Sequence, residues 1–262
     1  MCEAGAFVFR DPSGQSPRHV QEEAQQMGAT MDQVLAIIPA RSGSKGIPNK
    51  NFTHLCGMTP YERAIHAAVD AGVPTVVTTT DWVSDPRIWV RPIDTPMMAR
   101  WIQRPAELAQ DDTPMIAVVQ HVLGQIPGPP DQKIVLLQPT QPLREPKHIT
   151  QALELLTPDV DSVVSVIELP QAYASVNHAY IFDGSRNLSH QWTTFAPSRR
   201  QDCGHSYVRD GTCYAFHRRT VEQHGTIYGD RVKPLIIPAS ETQALDTPAD
   251  WAEAERRLRE RA

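Results

Sequence analysis

Between Pro39 and Asn51 the chain sets Arg41, Lys45 and Lys50 among Ser42, Gly43, Ser44 and Gly46. Basic side chains interleaved with small residues make an anion cradle. The small residues let the backbone turn tightly and present N–H groups, while the arginine and lysines neutralise several negative oxygens together. The chemistry indicated is the grip of a phosphate chain. No Gly-Lys-Ser/Thr closes the run, so it is not a Walker P-loop, and its glycines lack the dinucleotide GxGxxG spacing. A basic surface turn is the plain alternative. The run directly follows the apolar segment Val34-Leu35-Ala36-Ile37-Ile38, which reads as a buried strand and favours the cradle.

Other polar residues stand where strands should end. Thr75-Val76-Val77-Thr78-Thr79 reads as a strand running into Thr80-Asp81, and Ile134-Val135-Leu136-Leu137 as a buried strand running into Gln138. Open parallel sheets present ligand-binding groups at such ends. Gln138 is therefore expected to turn its amide toward a ribose or sugar hydroxyl. Asp81 either positions a ligand or caps the segment after it. Arg144 is expected to brace its loop rather than touch substrate.

Strands alternate with helices of about ten residues, which predicts βαβ crossovers and a mainly parallel, three-layer α/β/α sheet. Helices are expected from Thr59-Pro60 to about Ala71, from Met115 to Leu123 with Gly124 and Pro127 ending it, and from Pro146 to Leu156. Further strands are expected at Ser162–Val166, near Thr212–His217 and at Leu235–Pro238, with a last helix opened by Thr247-Pro248. Thr247 and Asp250 have capping-box spacing there, and Arg256, Arg257, Arg259 and Arg261 complement the helix dipole. Prolines 86, 92 and 96 interrupt residues 82–103, where only a strand at Ile88-Trp89-Val90 is read. Residues 1–33 read as a flexible tail, with Met27 or Met31 as candidate starts, and 34–262 as one domain.

With 262 residues and 25 Lys+Arg against 30 Asp+Glu, the chain is mildly acidic, which argues against nonspecific nucleic-acid binding. Its four cysteines, Cys2, Cys56, Cys203 and Cys213, show no metal spacing and suit a reducing cytoplasm. No run approaches the roughly 20 apolar residues of a membrane span, and the N-terminus lacks the order of a signal peptide.

The motifs together resemble the acylneuraminate cytidylyltransferase family. The cradle matches its opening signature from Ala40 to Asn51, and Leu136 to Arg144 matches a second motif, in which Gln141 stands where the family usually has serine. Arg104-Pro105-Ala106-Glu107-Leu108-Ala109 with Asp111, Arg200-Gln201-Asp202 leading to Gly211 and Tyr214, and Leu245-Asp246-Thr247 follow in family order. The resemblance implies a Rossmann-like nucleotide-diphospho-sugar-transferase fold, with 168–209 inserted as a dimerisation and sugar-binding arm. It implies attack by the anomeric hydroxyl of a 2-keto acid sugar on the α-phosphorus of CTP, with release of pyrophosphate. Nucleotide binding then falls to Ala40, Arg41, Ser44, Lys45, Lys50, Asn51, Asp81, Arg104 and Gln138, with Lys45, Arg41 and Asp246 carrying the chemistry. Acceptor binding falls to Gln138, Arg200, Gln201, Tyr207 and Arg209, and Mg²⁺ to Asp246. A homodimer is expected.

Two departures bear on that expectation. The family ends its last strand with two carboxylates two residues apart on one face, but here the first is Ala244 and only Asp246 remains. One carboxylate still suffices for Mg²⁺, which takes waters and substrate phosphates as its other ligands; Glu241 is a candidate substitute, and Asp250 is explained by helix capping. The second departure is Tyr207-Val208-Arg209-Asp210-Gly211, in which the family's arginine has moved one place and its asparagine has become aspartate. That puts sialic acid itself in doubt. His178, His190 and His205 fall in or near the arm and suit solvent or dimer contacts. Another acceptor, such as a phosphonate or unusual sugar, and a non-catalytic nucleotide-binding relative are the alternatives.

Overall fold

The computed structural model describes residues 34–43, 46–80, 98–169, 180–182, 188–190 and 207–261. In chain order its strands are β1 (Val34–Pro39), β2 (Thr75–Thr80), β3 (Met98–Gln103), β4 (Lys133–Leu136), β5 (Ser162–Glu168), β6 (Tyr180–Phe182), β7 (Leu188–His190), β8 (Tyr207–His217) and β9 (Val232–Ile236). Helices are α1 (Pro60–Asp70), α2 (Met115–Gln125), α3 (Pro146–Leu155), α4 (Arg218–His224) and α5 (Pro248–Arg261). A seven-stranded sheet runs in the order β3-β2-β1-β4-β8-β5-β9, and β6 and β7 form a separate ribbon. Only β8 runs antiparallel to its sheet neighbours, β4 and β5.

The apolar runs of β1 and β4 follow from burial on both faces. Ala36, Ile38, Val135 and Leu137 face a core closed by α1 and α3, while Leu35, Ile37, Ile134 and Leu136 face a second core under α2 and α4. Each fully buried Leu, Ile or Val contributes about 1.5–3 kcal/mol relative to exposure, so the central strands anchor the domain. Helix α1 starts where Thr59 accepts from the Glu62 backbone N–H and Glu62 accepts in return from the Thr59 N–H, a reciprocal cap.

From β1 the chain builds outward through β2 and β3, then crosses back to β4 on the other side of β1. Strand order therefore reverses between β1 and β4, and a crevice opens beyond their C-terminal ends. The backbone extends both strands toward it: Ala40 N donates to Thr79 O at 2.9 Å and Leu137 N to Ile37 O at 2.9 Å. The α/β fold class, the mainly parallel sheet and the positions of β1, β2 and β4 are as the sequence predicts.

Several elements differ from expectation. Strand β3 forms where the prolines obscured any pattern; its partner β2 aligns Thr75 with Met98 through to Thr80 with Gln103 and supplies the order that local sequence lacks. The strand expected at Ile88–Val90 lies outside the described residues. Helix α2 runs through Gly124 to Gln125, because the neighbouring Val122 and Leu123 are buried and hold that turn. Helix α4 was not foreseen. Strand β8 begins at Tyr207 rather than near Thr212, pairing Tyr207 with Glu168 and Arg209 with Val166, so these residues belong to the sheet and not to an arm. Between β5 and β8 the ribbon β6–β7 is described.

Helix α5 is tied back by Leu245 and Ala254, which pack with Leu55 against Trp251 and Leu258. Its predicted cap is present: Thr247 N and Oγ1 donate to Asp250 Oδ2 at 2.7 and 2.8 Å. The terminal arginines do more than face the helix dipole. Arg256, Arg257 and Arg259 pair with Glu253, Glu260 and Glu255 along the helix, and Arg261 reaches the Leu143 carbonyl and Glu145.

Candidate active site

The crevice at the strand-order reversal is a cavity of about 450 Å³. Pro39, Arg41, Gly46, Lys50 and Asn51 line it from the β1 loop, Arg104, Asp111 and Met115 from the β3–α2 connection, Gln138, Pro139 and Thr140 from the β4 loop, and Asp246 from the segment before α5. Residues drawn from four stretches of sequence thus converge on one space.

Loop geometry explains how the β1 segment reaches it. Asn49 adopts the left-handed conformation (φ 52°), which asparagine tolerates better than most residues, and turns the chain into a short 3₁₀ stretch at Lys50–Phe52. Asn51 then closes the loop by donating from Nδ2 to the Arg41 carbonyl at 3.0 Å. Asn51 is 6% exposed and its Oδ1 has no hydrogen-bond partner among the described residues, so it offers a buried acceptor at the cavity wall. Gly46 packs on the backbone carbonyl of Asp246 so closely that a Cβ there would overlap the oxygen. The cradle and the Asp246 segment are locked together at that point.

The charges in the cavity are paired. Arg41 Nη2 meets Asp111 Oδ1 at 2.5 Å and Nη1 donates to the Ala109 carbonyl at 3.3 Å. Lys50 Nζ donates to the Leu245 carbonyl at 2.5 Å and lies 3.4 Å from Asp246 Oδ1. Arg104 is 4% exposed and donates from Nη2 to the Thr79 carbonyl at 3.1 Å, the same oxygen that accepts from Ala40 N. Ala40 therefore spends its N–H in the sheet and is fully buried, so it shapes the loop from behind rather than lining the cavity.

Beneath the β4 loop lies a buried polar network that the sequence reading did not foresee. Arg144 donates from Nε to the Thr212 carbonyl at 2.5 Å and from Nη2 to the Gln138 carbonyl at 2.6 Å, bracing the loop as expected. Burial pushes its pKa down to about 10. Gln141, in the place of the usual serine, donates to the Asp210 carbonyl and accepts from Thr242 Oγ1 at 3.0 Å. The Asp210 carboxylate folds back onto Thr212, accepting from its N–H at 3.1 Å and from its hydroxyl. The aspartate that replaces asparagine is thereby occupied within its own turn. A β-bulge accommodates it: pairing with β5 shifts between Val164 and Val166, and Gly211 takes φ +79° with Gln138 Oε1 only 2.9 Å from where a Cβ would stand. Bulges re-aim side chains beside active sites.

Of the other expected site residues, Tyr207 is 43% exposed at the start of β8 and Arg209 lies over the Tyr228 ring at 5.5 Å while donating to its hydroxyl. Neither lines the cavity. Ser44, Lys45, Asp81, Arg200 and Gln201 lie outside the described residues, as do His178 and His205. Glu241 is committed elsewhere: its Oε2 accepts from His148 Nε2 at 2.8 Å and from Lys147 Nζ at 2.7 Å, and those bonds hold its pKa below the usual carboxylate range. It does not substitute for the carboxylate missing at Ala244. Among the described residues no group of three or more His, Cys, Asp or Glu side chains is placed to hold a metal ion. Asp246, 74% exposed at the cavity, is the carboxylate that suits one position of a Mg²⁺ shell otherwise made of phosphate oxygens and water.

A doubly wound sheet with a charged cavity at its reversal point defines an α/β protein that binds ligands at its strand ends. The family described as Cytidylyltransferase matches residues 35–237, and the chain belongs to it. A CMP-N,N'-diacetyllegionaminic acid synthase of Legionella pneumophila is 29% identical over 235 residues, covering 85% of this chain and 95% of that protein. N-acylneuraminate cytidylyltransferase A of Danio rerio and an N-acylneuraminate cytidylyltransferase of Streptococcus agalactiae are each 28% identical, over 86% and 83% of this chain. The chain spans about half the length of these two, 50% and 51%. Among solved structures, a CMP:2-keto-3-deoxy-manno-octonic acid synthetase complexed with CTP superposes with a TM-score of 0.64 at 17% identity, over 88% of this chain and all of that one. A 4-diphosphocytidyl-2C-methyl-D-erythritol synthase of Anaerococcus prevotii gives 0.58 at 14% identity, over 87% of this chain and 99% of that one. Both share the fold.

Proposed function

We propose that this cytidylyltransferase moves CMP from CTP to an acidic 2-keto sugar, with Mg²⁺ as its cofactor and pyrophosphate as the second product. The observation that carries the reading is the convergence of Arg41, Lys50, Arg104 and Asp246 on one cavity at the β1/β4 reversal. Phosphoryl-type transfer needs positioning and charge neutralisation more than covalent help, and these groups supply both. Arg41 and Lys50 would trade their present carboxylate partners for phosphate oxygens, with Lys45 adding charge from the same loop. Asn51 Oδ1 and the Gln138 amide would orient nucleotide and sugar hydroxyls. Asp246 would hold Mg²⁺, which when bound neutralises charge developing on the phosphates.

The acceptor end is less conventional. Arg209 is engaged with Tyr228, which supports an acceptor held by other groups, with Arg200 and Gln201 the remaining candidates, and keeps an unusual sugar in view. Among the described residues no helix is long and apolar enough to cross a membrane; a cytoplasmic setting fits four scattered cysteines with no paired spacing. We propose a homodimer, supported by the exposed apolar side chains of Tyr207, Val208 and Ile236 on strands β8 and β9. A monomer mass by light scattering would overturn that assignment.

The test of the reaction is pyrophosphate release from CTP and Mg²⁺ with a panel of 2-keto acid sugars. CTP should be preferred over GTP, UTP and ATP, and Asp246→Ala should lower kcat/KM by at least about 100-fold. No release with any nucleotide and acceptor, or full activity in the variant, would overturn the reading.

A further inference from the structure

We infer that Lys50 is a resident counter-ion for Asp246, so that a divalent ion reaches this carboxylate only together with the nucleotide whose phosphates draw Lys50 away. The inference rests on the CTP- and Mg²⁺-dependent reading above and assigns Lys50 a second role within it. Three observations support it. Lys50 is held in place: its side chain is 14% exposed and its ammonium donates to the Leu245 carbonyl at 2.5 Å, adjacent in sequence to the carboxylate it faces at 3.4 Å. Ala244 stands two residues before Asp246 and supplies no charge to outweigh that ammonium. The other acids are engaged, Asp111 of the same cavity with Arg41, Asp250 with the cap of α5 and Glu241 with Lys147 and His148.

A dication approaching nucleotide-free protein thus meets one carboxylate whose Oδ1 already faces an ammonium. One carboxylate is a poor site for Mg²⁺, which sheds water reluctantly and relies on substrate phosphates for further ligands. A triphosphate reverses both conditions. It gives Lys50 stronger acceptors, frees Asp246 Oδ1 and brings the oxygens that complete the ion's shell. Because Gly46 packs on the Asp246 carbonyl, the cradle and the carboxylate stay in register while Lys50 changes partner. Metal and nucleotide affinities are then linked, each raising the other by the same factor.

The experiment titrates Mn²⁺ as the probe, followed by the electron paramagnetic resonance of the free ion, against full-length protein without nucleotide. CTP affinity is measured by calorimetry with EDTA and with Mn²⁺. Wild type should bind CTP at least about tenfold more tightly with the metal, within the usual range of coupling between sites. Lys50→Met, which keeps the apolar stem, should bind Mn²⁺ about two- to fivefold more tightly than wild type in the absence of CTP, the span expected for removing an exposed ion pair. Adding Asp246→Asn to that variant should erase the gain. A folded Lys50→Met protein, judged by its melting curve, with unchanged or weaker nucleotide-free Mn²⁺ affinity would overturn the inference, as would a gain that survives Asp246→Asn. Failure of pyrophosphate release with every acceptor would instead sink the reaction assignment while these metal titrations remain readable.

Discussion

The β1–β4 end of the site and the β8 bulge behind it are built on different principles. At the β1–β4 end, parallel strands stop side by side and their loops are fixed by backbone contacts: Ala40 to Thr79, Leu137 to Ile37, Gly46 on the Asp246 carbonyl. At the bulge end, antiparallel β8 departs from regular pairing, and side chains do the fixing through Gln141, Asp210, Thr212, Thr242 and Arg144. A loop held by backbone geometry constrains where charges sit and tolerates few changes. A bulge held by side-chain hydrogen bonds is re-aimed when one of those side chains changes. The contrast teaches that backbone pairing fixes the charged wall of the cavity, while side-chain contacts set the shape of the bulge behind the β4 loop.

The most forceful way to break that comparison is Gly46→Ala. The added methyl must displace the Asp246 carbonyl, so the protein should lose about 1–3 kcal/mol of stability, as overpacked sites do. CTP affinity should fall at least about tenfold, a drop of the order of 1.4 kcal/mol; calorimetric CTP binding at wild-type strength would show that the cradle and Asp246 need not be in register. Gly211→Ala strikes the other end. Its φ of +79° and the Gln138 Oε1 contact at 2.9 Å should cost about 1–2 kcal/mol of stability, raising the acceptor KM several-fold while leaving CTP affinity near wild type. If CTP affinity fell as far as the acceptor KM rose, the two ends would be one unit and the contrast would fail.

A smaller effect sharpens the comparison. Arg209→Ala removes the stack on Tyr228 and should cost about 0.5–1 kcal/mol in denaturant melts, with CTP affinity unchanged; a large loss of acceptor binding would return Arg209 to the site. The smallest concerns the contact of Glu241 with the start of α3. Glu241, with its pKa depressed by Lys147 and His148, contributes stability that is fully present above the ordinary glutamate pKa of about 4.3 and is lost as pH falls through its lower folded value. Glu241→Gln should therefore be slightly less stable than wild type near neutrality, and the gap should close in acid. A gap that widened in acid would contradict the assignment of this pair.

The sequence is most legible where a local pattern and its cause coincide. Val34–Ile38 and Ile134–Leu137 are apolar because both sheet faces are covered, and Thr247 with Asp250 caps a helix through atoms three residues apart. The sequence is silent where partners are distant. Strand β3 carries no pattern of its own and exists through its pairing with β2. The first residues of β8 read in sequence as part of an arm, and their pairing with β5 places them in the sheet. Arg209 reads as a ligand clamp in sequence, and its partner Tyr228 is signalled by nothing nearby. Asp111 belongs to a recognised motif, but nothing in the motif says that it faces Arg41 across the cavity.

By itself the sequence determined the α/β alternation, the basic cradle, the lone carboxylate at Asp246 and the brace at Arg144, because periodicity, residue charge and loop composition act over a few neighbouring positions. Only the tertiary structure decided which charges meet. Arg41 with Asp111, Lys50 with Asp246 and Gly46 against the Asp246 carbonyl are contacts between segments far apart in the chain, and the order in which β1 and β4 pack side by side sets them.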